Sequence, residues 1–464
     1  MKFIKYILFI GLLLLPCSMV ATMQTTSDFV IEDGVLIAYR GNKAHIEIPD
    51  EVKVIQEKAF YDMDFIKSVE MSHVEVIENQ AFMHCEQLQE VHFSNQLTTL
   101  GSDAFAYTTA LETLYLPSSL KQVGYPEVGI FGESGLKEVI LGYNMSEIPY
   151  YLFKNAYQLK VVIMPSKLQK INDGAFMNCS SLAKVVLPNA LTYLGDNVFY
   201  RCTSLYDIQL PKQLEYMGMD VFQGCSALTS IHIPKSLKRI ALTSDGIFSE
   251  SGLKEVSFDK DMTEIPQYLF KNASNLTKIS FPPQLRRIND GAFYGCDGLT
   301  SIQLPKGFEH LRRHAFASCK NLKDVKGLND LSYFDEKAFS DSPSICLHIK
   351  KDSLVYQYAL IKNWNYVYTG PLNAPQNIKV ERINETSVKF SWDDNELSEE
   401  YVVCYYRTPH YMEGKTIRTQ ENSVVIENLK DDGSYQFEVS IVIQDGFKMW
   451  ESESTLVKYS LLLN

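Results

Sequence analysis

The residues best equipped for chemistry in this chain are nine cysteines and nine histidines. Cys and His clustered at short spacing would hold zinc. A Cys beside a base would be a nucleophile, and paired cysteines in an exported chain would form disulfides. Their spacing points elsewhere. Cys85, Cys179, Cys202, Cys225, Cys296 and Cys319 each stand three residues after a phenylalanine, at one fixed place in a repeated pattern. A place locked to a repeat is a packing position, and a small, weakly polar thiol suits a tight internal ladder. Buried free thiols are the expectation; disulfides between neighbouring coils and a metal-binding ladder are the alternatives. His310 and His314 have the i, i+4 spacing of a helical metal pair, but no third ligand lies near them in sequence, so no metal is expected. Carboxylates are abundant yet form no recognisable acid/base pair. Gly-x-Ser-x-Gly, a phosphate-cradling loop and His-Glu-x-x-His are absent from the sequence. The chain is expected not to be an enzyme and to need no cofactor. Five Asn-x-Ser/Thr sequons, at Asn144, Asn178, Asn272, Asn275 and Asn384, matter only in a eukaryotic source.

The pattern that positions the cysteines is a repeat. Phenylalanines recur at 60, 82, 105, 131, 153, 176, 199, 222, 248, 270, 293, 316 and 339, mostly 22 or 23 residues apart, with two steps of 26. The consensus unit is Phe-x-x-Cys-x-x-Leu-x-x-Val-x-Leu-Pro, with the Cys present in six of the thirteen units. One coil of this length buries its apolar residues only when a neighbour stacks on it. The alternation at Val185 and Leu187 predicts a short strand with every second side chain inward. The following Pro lacks an N–H and ends it. The expected architecture is a leucine-rich repeat solenoid of about thirteen coils of 22–26 residues, with a parallel sheet on one face and an irregular opposite face.

A longer period lies over the first. Gly129-Ile130-Phe131 returns as Gly246-Ile247-Phe248, and Tyr151-Leu152-Phe153 as Tyr268-Leu269-Phe270, always 117 residues on. A five-coil block has been duplicated, and each 26-residue step should bulge at matching points. Residues 28–50, with the turn signal Asp33-Gly34, read as the N-terminal cap. An aromatic stretch from Tyr356 to Tyr368 reads as the cover of the last coil.

The chain of 464 residues carries a net charge of −12. So acidic a protein lacks the basic face that nucleic acid requires. Lys2 and Lys5 precede an apolar run, Tyr6 to Leu15, too short to span a membrane; residues 1–26 read as a signal peptide and short leader. The chain is expected to be secreted or at the cell surface. Membrane attachment is expected only if Cys17 is lipidated, and Pro16 fits that motif badly.

Residues 27–370 are assigned to the solenoid with its caps and residues 371–464 to a second domain. That second domain alternates apolar residues at Val388/Phe390/Trp392, Tyr401/Val403/Tyr405 and Tyr435/Phe437/Val439/Ile441, which predicts an all-β sandwich. It resembles fibronectin type III: Trp392, Leu429 and Tyr435 stand where that family places its core Trp, its core Leu and the tyrosine of its corner. Cys404 has no mate for an inter-sheet disulfide. Gln444-Asp445-Gly446-Phe447 occupies the loop that carries Arg-Gly-Asp in integrin-binding members, and that tripeptide is missing here.

In each solenoid strand the residue between the inward pair faces out. Along the coils this row reads Glu70, His92, Tyr115, Ile140, Ile163, Val186, Gln209, His232, Ser257, Ser280, Gln303, Lys326. Ile140, Ile163 and Val186 are consecutive and apolar, whereas their counterparts 117 residues on are Ser257, Ser280 and Gln303. An exposed apolar strip flanked by polar groups marks a contact site; the alternative is that β-branched residues simply favour strands. The candidate binding residues are Tyr115, Ile140, Ile163, Val186, Gln209 and His232.

Ile-Asn-Asp-Gly-Ala-Phe at 171–176 and 288–293, Cys three residues after Phe and the Leu-Pro strand end closely resemble the BspA-type leucine-rich repeat family of bacterial and protozoan surface proteins. The resemblance covers about residues 28–370. It implies a surface or secreted protein that binds other proteins, commonly in adhesion to host or neighbouring cells. A matrix or cell-surface protein is the expected ligand, with a glycan as a further option. A spacer or scaffold role, and a part in polysaccharide capture, are the competing readings.

Overall fold

The repeated phenylalanines form the axis of the solenoid. All thirteen rings from Phe60 to Phe339 are buried. Successive centroids lie 4.7–6.0 Å apart with planes within 3–23° of parallel. That separation follows the spacing between hydrogen-bonded strands, so one ring per coil stacks without a gap. A computed structural model describes residues 24–460 apart from 27, 242–244, 351–352, 363, 369–374, 395–399, 409–413, 431–433, 446–447 and 452–454. Residues 1–23, which hold the expected signal peptide and Cys17, residues 371–374 and Gly446-Phe447 lie outside the described residues.

Each phenylalanine is held by two tight turns. From Phe60 to Phe316 the residues two before and two after it have positive φ, as at Asn197 (φ 55°) and Arg201 (φ 54°) around Phe199. The turns leave peptide groups pointing along the axis, and these bond coil to coil: Phe176 N–H donates to Val198 O at 3.0 Å and Phe199 N–H to Val221 O at 3.0 Å. Buried polar backbone therefore has partners throughout this layer.

The predicted strands form a parallel ladder. Thr113–Leu116 pairs with Glu138–Leu141, which pairs with Val161–Ile163; further along, Ser230–Ile233, Glu255–Phe258 and Lys278–Ser280 repeat the arrangement. Pro117 and Pro234 stand immediately after strands, as their missing N–H dictates.

The opposite side is not irregular, which corrects the sequence reading. Two-residue strands form a second parallel ladder there, including Lys170–Ile171, Tyr193–Leu194 and Tyr216–Met217. Its inward residues, among them Ile55, Ile148, Ile171 and Leu194, are buried. They stand five residues before the phenylalanine, a regularity visible in the sequence but too short to announce a strand. The two 26-residue steps break this ladder: one sheet ends at Gln122–Val123 and the next runs from Glu147–Ile148 to Arg239–Ile240. At the first break Asp103 carboxylate accepts the N–H groups of Val128 and Gly129 at 3.0 and 2.9 Å. Gly129 has φ 138°, and a Cβ there would lie 2.0 Å from Lys154 O. Gly246 repeats the feature one block later, with φ 117° and Lys271 O at 2.0 Å.

At the N-terminus Phe29–Glu32 and Val35–Tyr39 form an antiparallel hairpin around Asp33-Gly34, both in left-handed backbone. This is the expected cap.

The described residues divide into two units between Cys346 and Leu347. In the second, the aromatic stretch forms helix Leu354–Lys362 and strand Asn365–Tyr368, with Tyr356 edge-on to Tyr366 at 5.6 Å. Beyond it Lys379–Asn384, Ser387–Ser391 and Ser423–Ile426 make one antiparallel sheet. Glu400–Thr408 and Ser434–Asp445 centre another. Trp392, Leu429 and Tyr435 pack in the core with Phe390 and Phe437. Tyr435 hydroxyl accepts Lys430 N–H at 2.8 Å, the hydrogen bond of a tyrosine corner. Within that unit the sheets from Lys379 onward have the fibronectin type III architecture.

Candidate binding face of the solenoid

The strand ladder fixes what its outer face displays. In Thr113–Leu116 and Glu138–Leu141 every second residue is buried, so Leu114, Leu116, Val139 and Leu141 point in and Tyr115 and Ile140 point out. The register pairs Tyr115 with Ile140 and Ile140 with Ile163. These side chains are 50%, 41% and 47% exposed. Val186 directly follows strand Lys184–Val185 and is 71% exposed. Gln209 directly follows Asp207–Ile208 and is exposed. Val185 is in register with Ile208, so Val186 and Gln209 are adjacent on the face. Val186 and Gln209 line one shallow depression beside Lys184 and Asp207; Gln209 and His232 line the next with Tyr206 and Ser257.

Two apolar members of this surface escaped the one-row reading. Val161, 46% exposed, pairs with Glu138 one row away, and Tyr206 is 60% exposed at the head of its strand. The same period-2 argument applied to the neighbouring row finds Val161.

His232 is held at both ring nitrogens. Nδ1 lies 2.9 Å from Ser257 Oγ and Nε2 lies 3.0 Å from Asp259 Oδ1. Lys235 N–H donates to Asp259 Oδ2 at 3.0 Å, and this bond, followed by the His232 contact, holds the Asp259 carboxyl below its usual range. Serine, histidine and aspartate thus touch in sequence. Ser257 nevertheless sits mid-strand in a parallel ladder, not on a turn that aims amide donors at a reacting carbonyl. The cluster orients the ring.

His310 and His314 do not share a helix face. His310 lies in strand His310–Leu311 and His314 in a left-handed turn, so their helical spacing has no structural meaning. The repeat cysteines are free and buried. Each thiol donates to the carbonyl of the preceding coil's phenylalanine, as in Cys179 to Phe153 O at 3.1 Å and Cys202 to Phe176 O at 3.2 Å. Cys at this position is therefore a small apolar body with one useful donor; in the last such coil Ser342 hydroxyl makes the same bond to Phe316 O at 3.0 Å. Burial pushes the thiols of Cys85, Cys225 and Cys319 up to about 12.

Known proteins carry the same parts. The model of the BspA type leucine-rich repeat region matches residues 39–126, 127–244 and 243–363. The fibronectin type III model matches residues 373–457. No curated protein sequence matches the chain. Among solved structures, a leucine-rich repeat protein from Bacteroides ovatus is 22% identical, covers 75% of this chain and 97% of its own, and superposes with a TM-score of 0.54. That likeness shows a shared solenoid fold. A leucine-rich cell surface protein from Faecalibacterium prausnitzii is 22% identical over 68% of this chain and 97% of its own, with a TM-score of 0.37. The pneumococcal vaccine antigen PcpA is 14% identical over 76% of this chain and 100% of its own, with a TM-score of 0.41.

Proposed function

The chain belongs to the BspA-type leucine-rich repeat family, and we propose that it is an exported, adhesin-like protein that binds a protein ligand on the outer face of its strand ladder. One observation carries the reading. Tyr115, Ile140, Ile163 and Val186 follow one another on consecutive coils, and each is exposed. In the duplicated block the same places hold His232, Ser257, Ser280 and Gln303. Packing demands are alike in the two blocks, and the inward residues stayed apolar in both. β-propensity would have acted equally on both copies, so the apolar row of one copy points to a contact made there alone. At strand spacing it is about 15 Å long, room for the apolar anchors that dominate a protein interface.

The Lys2 to Leu15 segment supports export to the cell surface or medium. Among the described residues no helix is long and apolar enough to cross a membrane. The solenoid, residues 27–370, is the recognition element; the type III domain, residues 371–464, presents it.

Residues 27–464, immobilised, should capture a protein from a mixture of matrix proteins, mucins and plant glycans. The triple variant Ile140→Asp, Ile163→Asp, Val186→Asp should capture nothing while keeping its circular dichroism and melting temperature. Equal capture by parent and variant would refute the site. Capture by neither would favour a spacer role.

A further inference from the structure

The apolar row does not end in neutral surroundings. Residues 45–140 hold 16 Asp and Glu against five Lys and Arg, whereas residues 141–340 hold 19 against 23. The acidity is thus concentrated in the N-terminal coils, and part of it lies on the binding face. Glu47 pairs with Glu70 and Glu70 with His92 in the strand register, in the row that continues into Tyr115. One row over, Ser68 pairs with Glu90 and, in the next sheet, Thr113 with Glu138. Glu47, Glu70 and Glu90 are exposed. Among the described residues no Lys or Arg pairs with any of these three; the one ionic neighbour is His92, 3.9 Å from Glu90. By contrast Glu112 is paired with Lys137, and beyond the apolar row Lys184 is paired with Asp207 at 2.7 Å. The face therefore reads, from its N-terminal end, as carboxylates without a Lys or Arg partner, then apolar side chains, then polar side chains from Gln209 to Gln303 whose charged neighbours are paired, His232 with Asp259 and Lys278 with Glu255, and finally Lys326, paired with Asp324.

Neither the carboxylates nor the apolar row would name a ligand alone. Their contiguity does. Two coils separate Glu70 from Tyr115, about 10 Å at strand spacing, which is about one screening length at moderate ionic strength. A ligand seated on the apolar row thus feels the carboxylates at one end only. We propose that the partner, on the reading of the face given above, is a polypeptide segment with apolar side chains over Tyr115 to Val186 and lysines or arginines extending over Glu47, Glu70 and Glu90. The acidic end repels nucleic acid and sulfated glycans and fixes the direction in which the segment lies.

The test uses residues 27–464 and two labelled peptides followed by fluorescence anisotropy. One alternates isoleucine with threonine and continues into a run of lysines; its twin carries glutamates in place of lysines. The lysine peptide should bind, more weakly as salt rises, and the glutamate peptide should not. The variant Glu47→Gln, Glu70→Gln, Glu90→Gln should lose about tenfold in affinity, three exposed ion pairs being worth a few-fold each, and should lose most of the salt dependence. It should melt with the parent. Equal binding of the two peptides, failure of the lysine peptide to bind, or an unchanged salt slope in the variant would overturn the proposal. If a captured protein ligand is lost by the Ile140/Ile163/Val186→Asp variant but kept at full affinity by the Gln variant, the face stands and the charge inference falls.

Discussion

Replacing Phe199 by Ala probes the ring stack that fixes coil spacing. Phe199 is fully buried, 5.6 Å from Phe176 and 5.6 Å from Phe222, with planes 5° and 10° from parallel. A buried Phe→Ala change costs about 3–5 kcal/mol through lost transfer energy and the cavity left behind. The two flanking rings bring the expectation to about 4 kcal/mol, since each contact is worth about 0.5–1.5 kcal/mol. In a solenoid this loss falls on one coil and its two interfaces. Unfolding should therefore begin there, and the urea transition should broaden or split. Circular dichroism follows the solenoid. Of the three tryptophans, Trp392 and Trp450 lie in the type III region and Trp364 at the end of the solenoid, so in a Trp364→Phe background fluorescence follows the type III domain independently. The Phe199→Ala solenoid transition should move to lower urea by more than about 1 M, with m near 3 kcal/mol/M, while the Trp392-centred transition stays. Phe199→Leu should lose about 1–2 kcal/mol. A loss below about 1 kcal/mol for Phe199→Ala, with an unmoved single transition, would show that the rings do not carry the stack.

The six repeat thiols should resist alkylation in the native chain and react on unfolding, leaving Cys346 and Cys404 as the readily labelled sites of the folded protein; prompt labelling of six or more thiols would contradict the burial. The same burial gives a pH dependence. Folded Cys85, Cys225 and Cys319 titrate near 12 and unfolded thiols near 9. Above pH 9 the unfolded state has lost protons that the folded state keeps, so the thiols' contribution to stability should be constant below pH 9 and fall as pH rises towards 12. Denaturant midpoints across that range check the sign, and a rise would refute it. Gly129→Ala and Gly246→Ala each force a Cβ to 2.0 Å from a backbone oxygen at positive φ, and each should cost several kcal/mol. Gly307→Ala, at φ 77° with open space around it, should cost about 1 kcal/mol; equal melting temperatures for the three variants would sink the argument. Tyr435→Phe leaves Lys430 N–H without its acceptor and should cost about 1–3 kcal/mol in the tryptophan-monitored transition, and no shift would deny the corner its role.

Much of this was legible because a repeat states each rule many times. The phenylalanine spacing set the coil repeat, the alternation at Val185 and Leu187 the strand faces, and Asp33-Gly34 the cap hairpin; the stacking of the phenylalanine rings emerges only in three dimensions. What escaped was short or made by coils meeting. The second ladder consists of two-residue strands such as Lys170–Ile171, below the length at which alternation can be read. The thiol donors of Cys179 and Cys202 reach carbonyls 26 residues back, a pairing that no local pattern encodes. The helical spacing of His310 and His314 misled because it presupposed a helix where the repeat builds a strand and a turn. The outward row was readable by parity, but Val161 and Tyr206 join it only once neighbouring rows are laid side by side.

The binding face is tested most directly by measuring ligand affinity of three matched chains by surface plasmon resonance, using the protein captured by the parent. The first is the parent, the second carries Ile140→Asp, Ile163→Asp and Val186→Asp, and the third carries Ser280→Asp and Gln303→Asp at duplicated positions away from His232. Loss of affinity by about a hundredfold or more in the second, with the third within a few-fold of the parent, is the expected result. Equal loss in both, or in neither, would contradict a site on the apolar row.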